Sequence, residues 1–310
     1  MKAQTILLFG GTGFVGKYVV SQLAHAGFRL NIITRDVVTA AHLKTQGDVG
    51  QINLQYGDIR KASTYENLLA NTDIVVNLVG LLSEHGAQNF ENIHHIATAR
   101  LAELSAKHGV NRFIHMSSLG VERAVTSKYA QTKLKGEQAV LKYFPNAVIF
   151  RPSVIFGIED NFYNQFAKMS ALAHVLPLIA GGKTKFQPTY VADVAEAFAV
   201  AASNNLHGRE IAGIYELGGT EIMSFKQILE FIIATTNNKA IMIPLPTCAA
   251  KMVGFVNEFL PKPMITRDQV ELLRYDNVVN ENALGYDDLG IKPHSPTAIV
   301  PQYLTIRRKH

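Results

Sequence analysis

Cysteine is almost missing: Cys248 stands alone in 310 residues. That excludes an intrachain disulfide and a thiolate-rich metal site, so no metal is expected, and it fits a reducing compartment. A secretory leader is also missing, because Met1 leads through the polar Lys2, Gln4 and Thr5 straight into a strand-like run. No clean apolar run approaches the roughly 18 residues of a membrane span. The longest candidates, at 172–180 and 240–256, are cut by His174, Pro177, Pro244, Pro246 and Lys251. Dense charge of one sign is lacking as well. The net charge of +5 comes from scattered Lys and Arg, which suits a phosphate-bearing ligand, an acidic partner or a lipid surface and argues against nucleic acid. The expected location is cytoplasmic, with peripheral contact on the inner face of the cytoplasmic membrane left open.

What is present is a chain with 47% hydrophobic residues, enough for one large core or two unequal lobes and too much for disorder. Apolar β-rich runs stand at 5–9, 30–34, 52–56, 73–79, 112–116 and 147–150, with helix-length segments between most of them. This alternation predicts an α/β fold, a doubly wound parallel sheet. The near-continuous apolar runs "TILLFG" and "DIVVNLVG" fit strands covered on both faces. Beyond Gly157 the alternation fades into Pro- and Asn-rich pieces such as "VLPLIAGG" and "IMIPLPT", which points to a smaller C-terminal α/β lobe. "PTYVADVAEAFAVAA" again reads as a strand end entering a helix. The expected division is residues 1–157 with 187–206 as a dinucleotide-binding domain, and 158–186 with 207–310 as a substrate or partner lobe.

The segment "ILLFGGTGFVGKYVVSQLA" sets Gly10, Gly13 and Gly16 after a buried strand and at a helix start, where missing side chains permit a tight turn and close approach to a pyrophosphate. Gly10, Thr12, Gly13, Phe14, Val15 and Gly16 would line that turn, with the helix N-terminus facing the negative charge. The second strand ends "NIITRD", so Arg35 stands where NAD-binding folds carry an acidic residue. A guanidinium there suits a ribose 2′-phosphate, which favours NADP(H). Asp36 beside it keeps NAD(H) open, and Arg35 could also be a solvated strand end. In "QYGDIR", Asp58 would either bond the adenine amino group, with Ile59 packed on the ring, or cap the next helix.

After the fifth strand come "HMSSLG" and "KYAQTKLKGE", giving Ser118, Tyr129 and Lys133. Tyr129 and Lys133 are four apart and share one helix face. A phenol with an ordinary pKa of about 10 has to be lowered to work near neutral pH, and an adjacent ammonium together with a nicotinamide cation would do that. Tyr129 would be the general acid or base, Ser118 would bond the substrate oxygen, and Lys133 would hold the nicotinamide ribose. The plainer alternative is an exposed helix pair and a strand-capping serine.

In order, "GGTGFVG", "GD", "NLVG", "SS", "YAQTK", "RPSVIFG" and "YVADVAEAF" resemble the short-chain dehydrogenase/reductase superfamily, in its extended or atypical branch. The resemblance implies that Asn77, Leu78, Val79 and Gly80 line the cofactor groove. It also implies that Pro152 and Ser153 meet the nicotinamide end through backbone contacts and that Tyr190 and Asp193 close the site's edge. His94, followed by His95, takes the place where extended members often carry Asn. "SSLGVER" departs from the Val-Tyr-Gly continuation of sugar-nucleotide epimerases, which argues against such a substrate.

A finer likeness, carried by "GDVGQINLQYGDIRK", "FGIEDNFYNQFAKM", "LPLIAGGKTKFQPTYVADV" and "MITRDQVELL", is to the 39 kDa accessory-subunit family of respiratory complex I, NADH:ubiquinone oxidoreductase, and its bacterial relatives. It implies a structural NADPH and partners among respiratory or quinone-biosynthesis subunits. The intact Ser118, Tyr129 and Lys133 keep an NAD(P)-dependent oxidoreductase or epimerase-type activity open. In the second lobe, Thr247 is expected to cap a helix ending by Pro261, with Met252, Val253, Val256, Phe259 and Leu260 on one face for the protein's own core, a partner or a lipid surface. The tail "LTIRRKH" adds basic charge.

Overall fold

The computed structural model describes residues 3–204, 210–260 and 263–304, so most of the basic tail lies outside the described residues. All six strand-like runs form strands: β1 Thr5–Phe9, β2 Arg29–Thr34, β3 Ile52–Tyr56, β4 Ile74–Asn77, β5 Arg112–Met116 and β6 Val148–Pro152. They make one parallel sheet in the order β3-β2-β1-β4-β5-β6, with a seventh strand, Gly213–Leu217, paired outside β6. That strand falls in the stretch expected to belong to the smaller lobe. Its polar Glu216 and flanking glycines hide it from a search for apolar runs, yet Tyr215 and Leu217 pack into the main core.

The helices are α1 Phe14–His25, the single turn α2 Glu66–Leu69, α3 Thr98–Lys107, α4 Lys128–Tyr143, α5 Phe162–Leu172, α6 Val191–Ser203, α7 Phe225–Thr236, α8 Thr247–Asn257, α9 Arg267–Leu272 and α10 Pro296–Leu304. On one face of the sheet α1 and α6 pack together, with Val19, Val20 and Leu23 against Val194, Ala195 and Phe198. Each large side chain among them is fully buried, which stabilises the fold by about 1.5–3 kcal/mol apiece relative to exposure. On the other face Leu101 and Ala102 of α3 and Val140 of α4 cover Leu7, Val75 and Phe113. A third cluster joins Phe156, Tyr163, Leu176, Phe225, Ile228 and Val300.

The strand order reverses between β1 and β4, which leaves a crevice at their C-terminal ends. Both glycine turn and serine strand deliver their side chains to that end. Among the described residues no helix is long and apolar enough to cross a membrane.

Candidate functional site

β1 ends at Phe9, and the chain turns through Gly10 into α1, whose N-cap is Gly13. Gly10 holds φ at 86°, and a Cβ on it would stand 3.0 Å from the Leu78 carbonyl carbon. Gly16 backs onto the turn so closely that a Cβ would reach within 2.1 Å of the Gly10 oxygen. Glycine is required at both. α1 has no side-chain cap and no acidic residue in its first turn, while Thr12 and Gly13 are exposed. Its leading N–H groups are therefore free to meet an anion, with the positive end of the helix behind them. These residues fit a pyrophosphate. Val15 is buried behind the turn, and the Phe14 ring abuts Gly157.

At the far end of the crevice Arg35 is exposed. The Asp36 carboxylate turns back to accept from the Thr39 backbone N at 3.0 Å and from Thr39 Oγ1 at 2.6 Å, bonds that lower its pKa. Asp58 is clasped by Arg60, which donates Nε at 3.0 Å, Nη2 at 2.5 Å and its backbone N at 3.0 Å. This clasp, with Arg35 nearby, holds the Asp58 carboxyl below its ordinary range. Asp58 thus pairs with Arg60 at the start of the following turn, and Ile59 is buried with Phe9 and Tyr65. Arg60 escaped the sequence reading because nothing in "GDIR" marks an arginine as folded back on its neighbour.

At the other end the structure brings the three expected reaction-centre residues together. Ser118 follows β5, and its hydroxyl lies close enough to the Tyr129 phenol to favour the ionised form. Lys133, one turn along α4, is buried and donates Nζ to the Met116 carbonyl at 3.0 Å. It lies under Gly80, where a Cβ would come within 3.2 Å of Nζ. Leu78 is buried, Val79 is half-buried, and the Asn77 Oδ1 accepts from Val79 N at 3.1 Å, so this loop is held by the strand it leaves. Burial pushes Lys133 down to about 8. Burial pushes the Tyr129 phenol up, the nearby Ser118 hydroxyl opposes this, and the Asp268 carboxylate adds to it.

Asp268, at the start of α9, accepts from Ser127 Oγ at 2.7 Å, Lys128 N at 2.8 Å and Tyr129 N at 3.2 Å. A carboxylate at the N-terminus of α4 stabilises the helix and sets a negative charge beside the phenol. Beneath α4, Arg151 of β6 makes a two-armed bond to Glu137 at 2.9 and 2.7 Å and reaches Glu122 at 3.0 Å. This buried hub fixes the helix that carries Tyr129 and Lys133.

His94 sits in a π-helical segment, Glu91–Ala97, a wide turn often found at functional sites. Its ring stacks on Phe90 at 5.3 Å and meets Tyr129 edge-on at 5.2 Å. Leu81 N donates to its Nε2 at 2.9 Å, and its Nδ1 lies 3.1 Å from Thr132 Oγ1. Burial and the charge of Lys133 push it down to about 2. His95 lies apart and pairs with Glu91.

Pro152 and Ser153 are placed beside the centre with several groups already engaged. The Pro152 carbonyl accepts from Leu119 N at 2.9 Å, Ser153 N donates to the Leu217 carbonyl at 3.0 Å, and Ser153 Oγ donates to Asn277 Oδ1 at 2.6 Å. Tyr190 packs on His294, whose Nδ1 is 2.6 Å from the buried Asp193 carboxylate. Asp268, Asn277 and His294 lie more than a hundred residues from their partners, beyond the reach of local pattern.

Residues 6–218 match the family model described as the NAD dependent epimerase/dehydratase family. The chain is 33% identical to the mitochondrial NADH dehydrogenase (ubiquinone) 1 alpha subcomplex subunit 9 of Arabidopsis thaliana, over 97% of this chain and 77% of that protein. It is 32% identical to the protein of the same description from Rattus norvegicus, over 98% of this chain and 79% of that one. Among solved structures it is similar to an NADPH-dependent quinone oxidoreductase from Escherichia coli complexed with NADPH. That likeness has a TM-score of 0.74 at 19% identity, covers 96% of this chain and 99% of the other, and bears on the fold.

Proposed function

Because the chain belongs to the NAD dependent epimerase/dehydratase family, we propose that it holds NADP(H) as an accessory or assembly component of a respiratory NADH:quinone oxidoreductase or quinone-handling complex. The near full-length likeness to mitochondrial NADH dehydrogenase subunits carries the reading. Gly10, Gly13 and Gly16 with the N-terminus of α1 would take the pyrophosphate. Asp36 is turned to Thr39, which leaves Arg35 as the charged side chain of that strand end suited to a 2′-phosphate. Lys133 under Gly80 would hold the nicotinamide ribose. When bound, the nicotinamide supplies hydride chemistry, and the protein would set Ser118 and Tyr129 beside it.

Titration of NADPH and NADH by nicotinamide fluorescence, in wild type and Arg35→Ala, tests the cofactor. The expected result is NADPH bound about tenfold more tightly or better, a gap of about 1.4 kcal/mol that Arg35→Ala removes. Equal affinities would sink the NADP reading. Mild-detergent purification should enrich respiratory subunits; recovery of the protein alone would count against the partner.

A second reading, a working NAD(P)H-dependent oxidoreductase, draws on the Ser118 hydroxyl standing beside the Tyr129 phenol with buried Lys133 nearby. On that reading Tyr129→Phe abolishes turnover on a carbonyl panel while sparing cofactor binding.

A further inference from the structure

Helix α8 carries its large apolar side chains on the wrong side for a helix that packs on its own core. Its buried residues are two small ones one turn apart, Ala250 and Gly254. At Gly254 the helix lies so near the start of α9 that a Cβ would stand 2.8 Å from Arg267 N. The large side chains are exposed: Met252 at 73%, Val256 at 66%, Phe259 just beyond the helix at 77%, with Val253, Phe255 and Leu260 beside them. At 100° per residue, Cys248, Ala249, Met252, Phe255 and Val256 fall opposite Ala250 and Gly254, and none of them is charged. The sequence alone left open whether this stripe faced inward; the structure turns it out. Thr247 is the first helical residue rather than the cap, which is Pro246.

The surrounding charges indicate what covers such a face. Acidic groups are turned inward or engaged: Asp268 is bonded to the start of α4, the Glu271 side chain is 9% exposed, and Glu258 is held by Arg267. Within these ion pairs the cations are the outer members, Lys251 at 42% and Arg274 at 55% on Glu271, and Arg267 at 55% on Glu258. Arg267 also lies 4.8 Å over the Phe255 ring, its charge at the edge of the apolar face. Apolar side chains ringed by outward cations match the boundary between acyl chains and anionic headgroups.

We propose that α8 is a membrane-contact element that lies in the headgroup layer of a bilayer containing anionic phospholipid, with Met252, Phe255, Val256 and Phe259 in the acyl boundary. α9 connects this face to the site. Asp268 caps the helix of Tyr129, and Gln269 Nε2 donates to the Leu82 carbonyl at 3.5 Å, next to the loop over Lys133. Docking through α8 would therefore hold the nicotinamide end of the crevice close to the membrane. The inference stands on this surface and does not depend on which nucleotide the crevice holds.

The chain supplies its own probe. Cys248 is its one cysteine and is exposed on α8, and the sequence has no tryptophan, so Phe259→Trp adds a single reporter. The full chain should float with phosphatidylcholine vesicles containing phosphatidylglycerol roughly tenfold more strongly than with phosphatidylcholine alone, and less so in high salt. The emission of a polarity-sensitive dye on Cys248 and that of the introduced indole should both shift to the blue, with quenching by brominated acyl chains. Val256→Asp and Phe259→Asp, both at exposed positions, should remove vesicle binding while leaving thermal unfolding unchanged. Absence of flotation on anionic vesicles would overturn the proposal. So would unshifted probes, or a concentration-dependent dimer that Phe259→Asp abolishes without any vesicle binding, which would assign the face to a second copy.

Discussion

His94 is held near a pKa of about 2, so it stays neutral across the ordinary pH range. Because Leu81 N–H donates to Nε2, the ring proton belongs on Nδ1, where it meets Thr132 Oγ1. The imidazole thus bridges the loop after β4 to α4 as a fixed donor and acceptor, and proton traffic through it is closed. Nitrogen-15 spectra should show one histidine with a protonated Nδ1 whose shifts do not move between about pH 5 and 8; a titrating signal would refute the lock. Gly16 gives the second residue-scale test. A methyl group there meets the Gly10 carbonyl, so Gly16→Ala should cost about 1–3 kcal/mol in denaturant unfolding and weaken nucleotide binding. The glycine turn was legible in sequence because its requirement is local. The state of Tyr129 was not, since it is set first by burial and then by the charge of Asp268, 139 residues away.

Helix α4 depends on that same carboxylate. Asp268 satisfies two backbone donors and a hydroxyl at the helix start, so Asp268→Asn should destabilise the protein by about 1–3 kcal/mol. Removing the negative charge should also move the Tyr129 phenol downward, which phenolate absorption would follow. A loss of stability with an unmoved phenol would mean that Asp268 acts as a cap only. Elements of this size divide by how they signal themselves. The six apolar runs could be read because strands buried on both faces need side chains of one kind throughout. Gly213–Leu217 carries Glu216, whose carboxylate is used by Asn280, so its burial depends on a distant partner and breaks the pattern. The π-helical turn at Glu91–Ala97 likewise has no composition of its own; Gly136, where a Cβ would come within 2.2 Å of the His94 carbonyl, is what lets α4 approach it.

Over the whole molecule the crevice gathers three groups that would be cationic in water. His94, His115 and Lys133 are all buried, and all are shifted toward their neutral forms, Lys133 to about 8 and the histidines to about 2 and about 3. Desolvation is the first cause in each, and the charge on Lys133 weighs on both histidines. A histidine whose pKa is lower folded than unfolded takes up protons on unfolding, so its contribution is complete above about pH 6.5 and is lost progressively as pH falls toward the folded value. Lys133 works in the same direction at higher pH, with stability rising from about 8 toward its unfolded value near 10.4. The expected profile is a steady loss of unfolding free energy on the acid side, beginning before the carboxylates titrate. His115 is the position where this can be isolated. Its ring is 1% exposed and its nitrogens make no hydrogen bond of ordinary geometry among the described residues, with the Asn77 backbone a weak contact. Replacing such a group with an apolar one leaves no partner stranded, so His115→Leu should be close to neutral at pH 7. Below about pH 6.5 it should flatten the stability curve by up to one proton's worth, about 1.4 kcal/mol per pH unit. Urea unfolding of wild type and variant across that range would decide it: parallel curves would mean that His115 keeps its proton equilibrium on folding, and a large loss at pH 7 would mean that its ring has a partner the apolar side chain cannot replace.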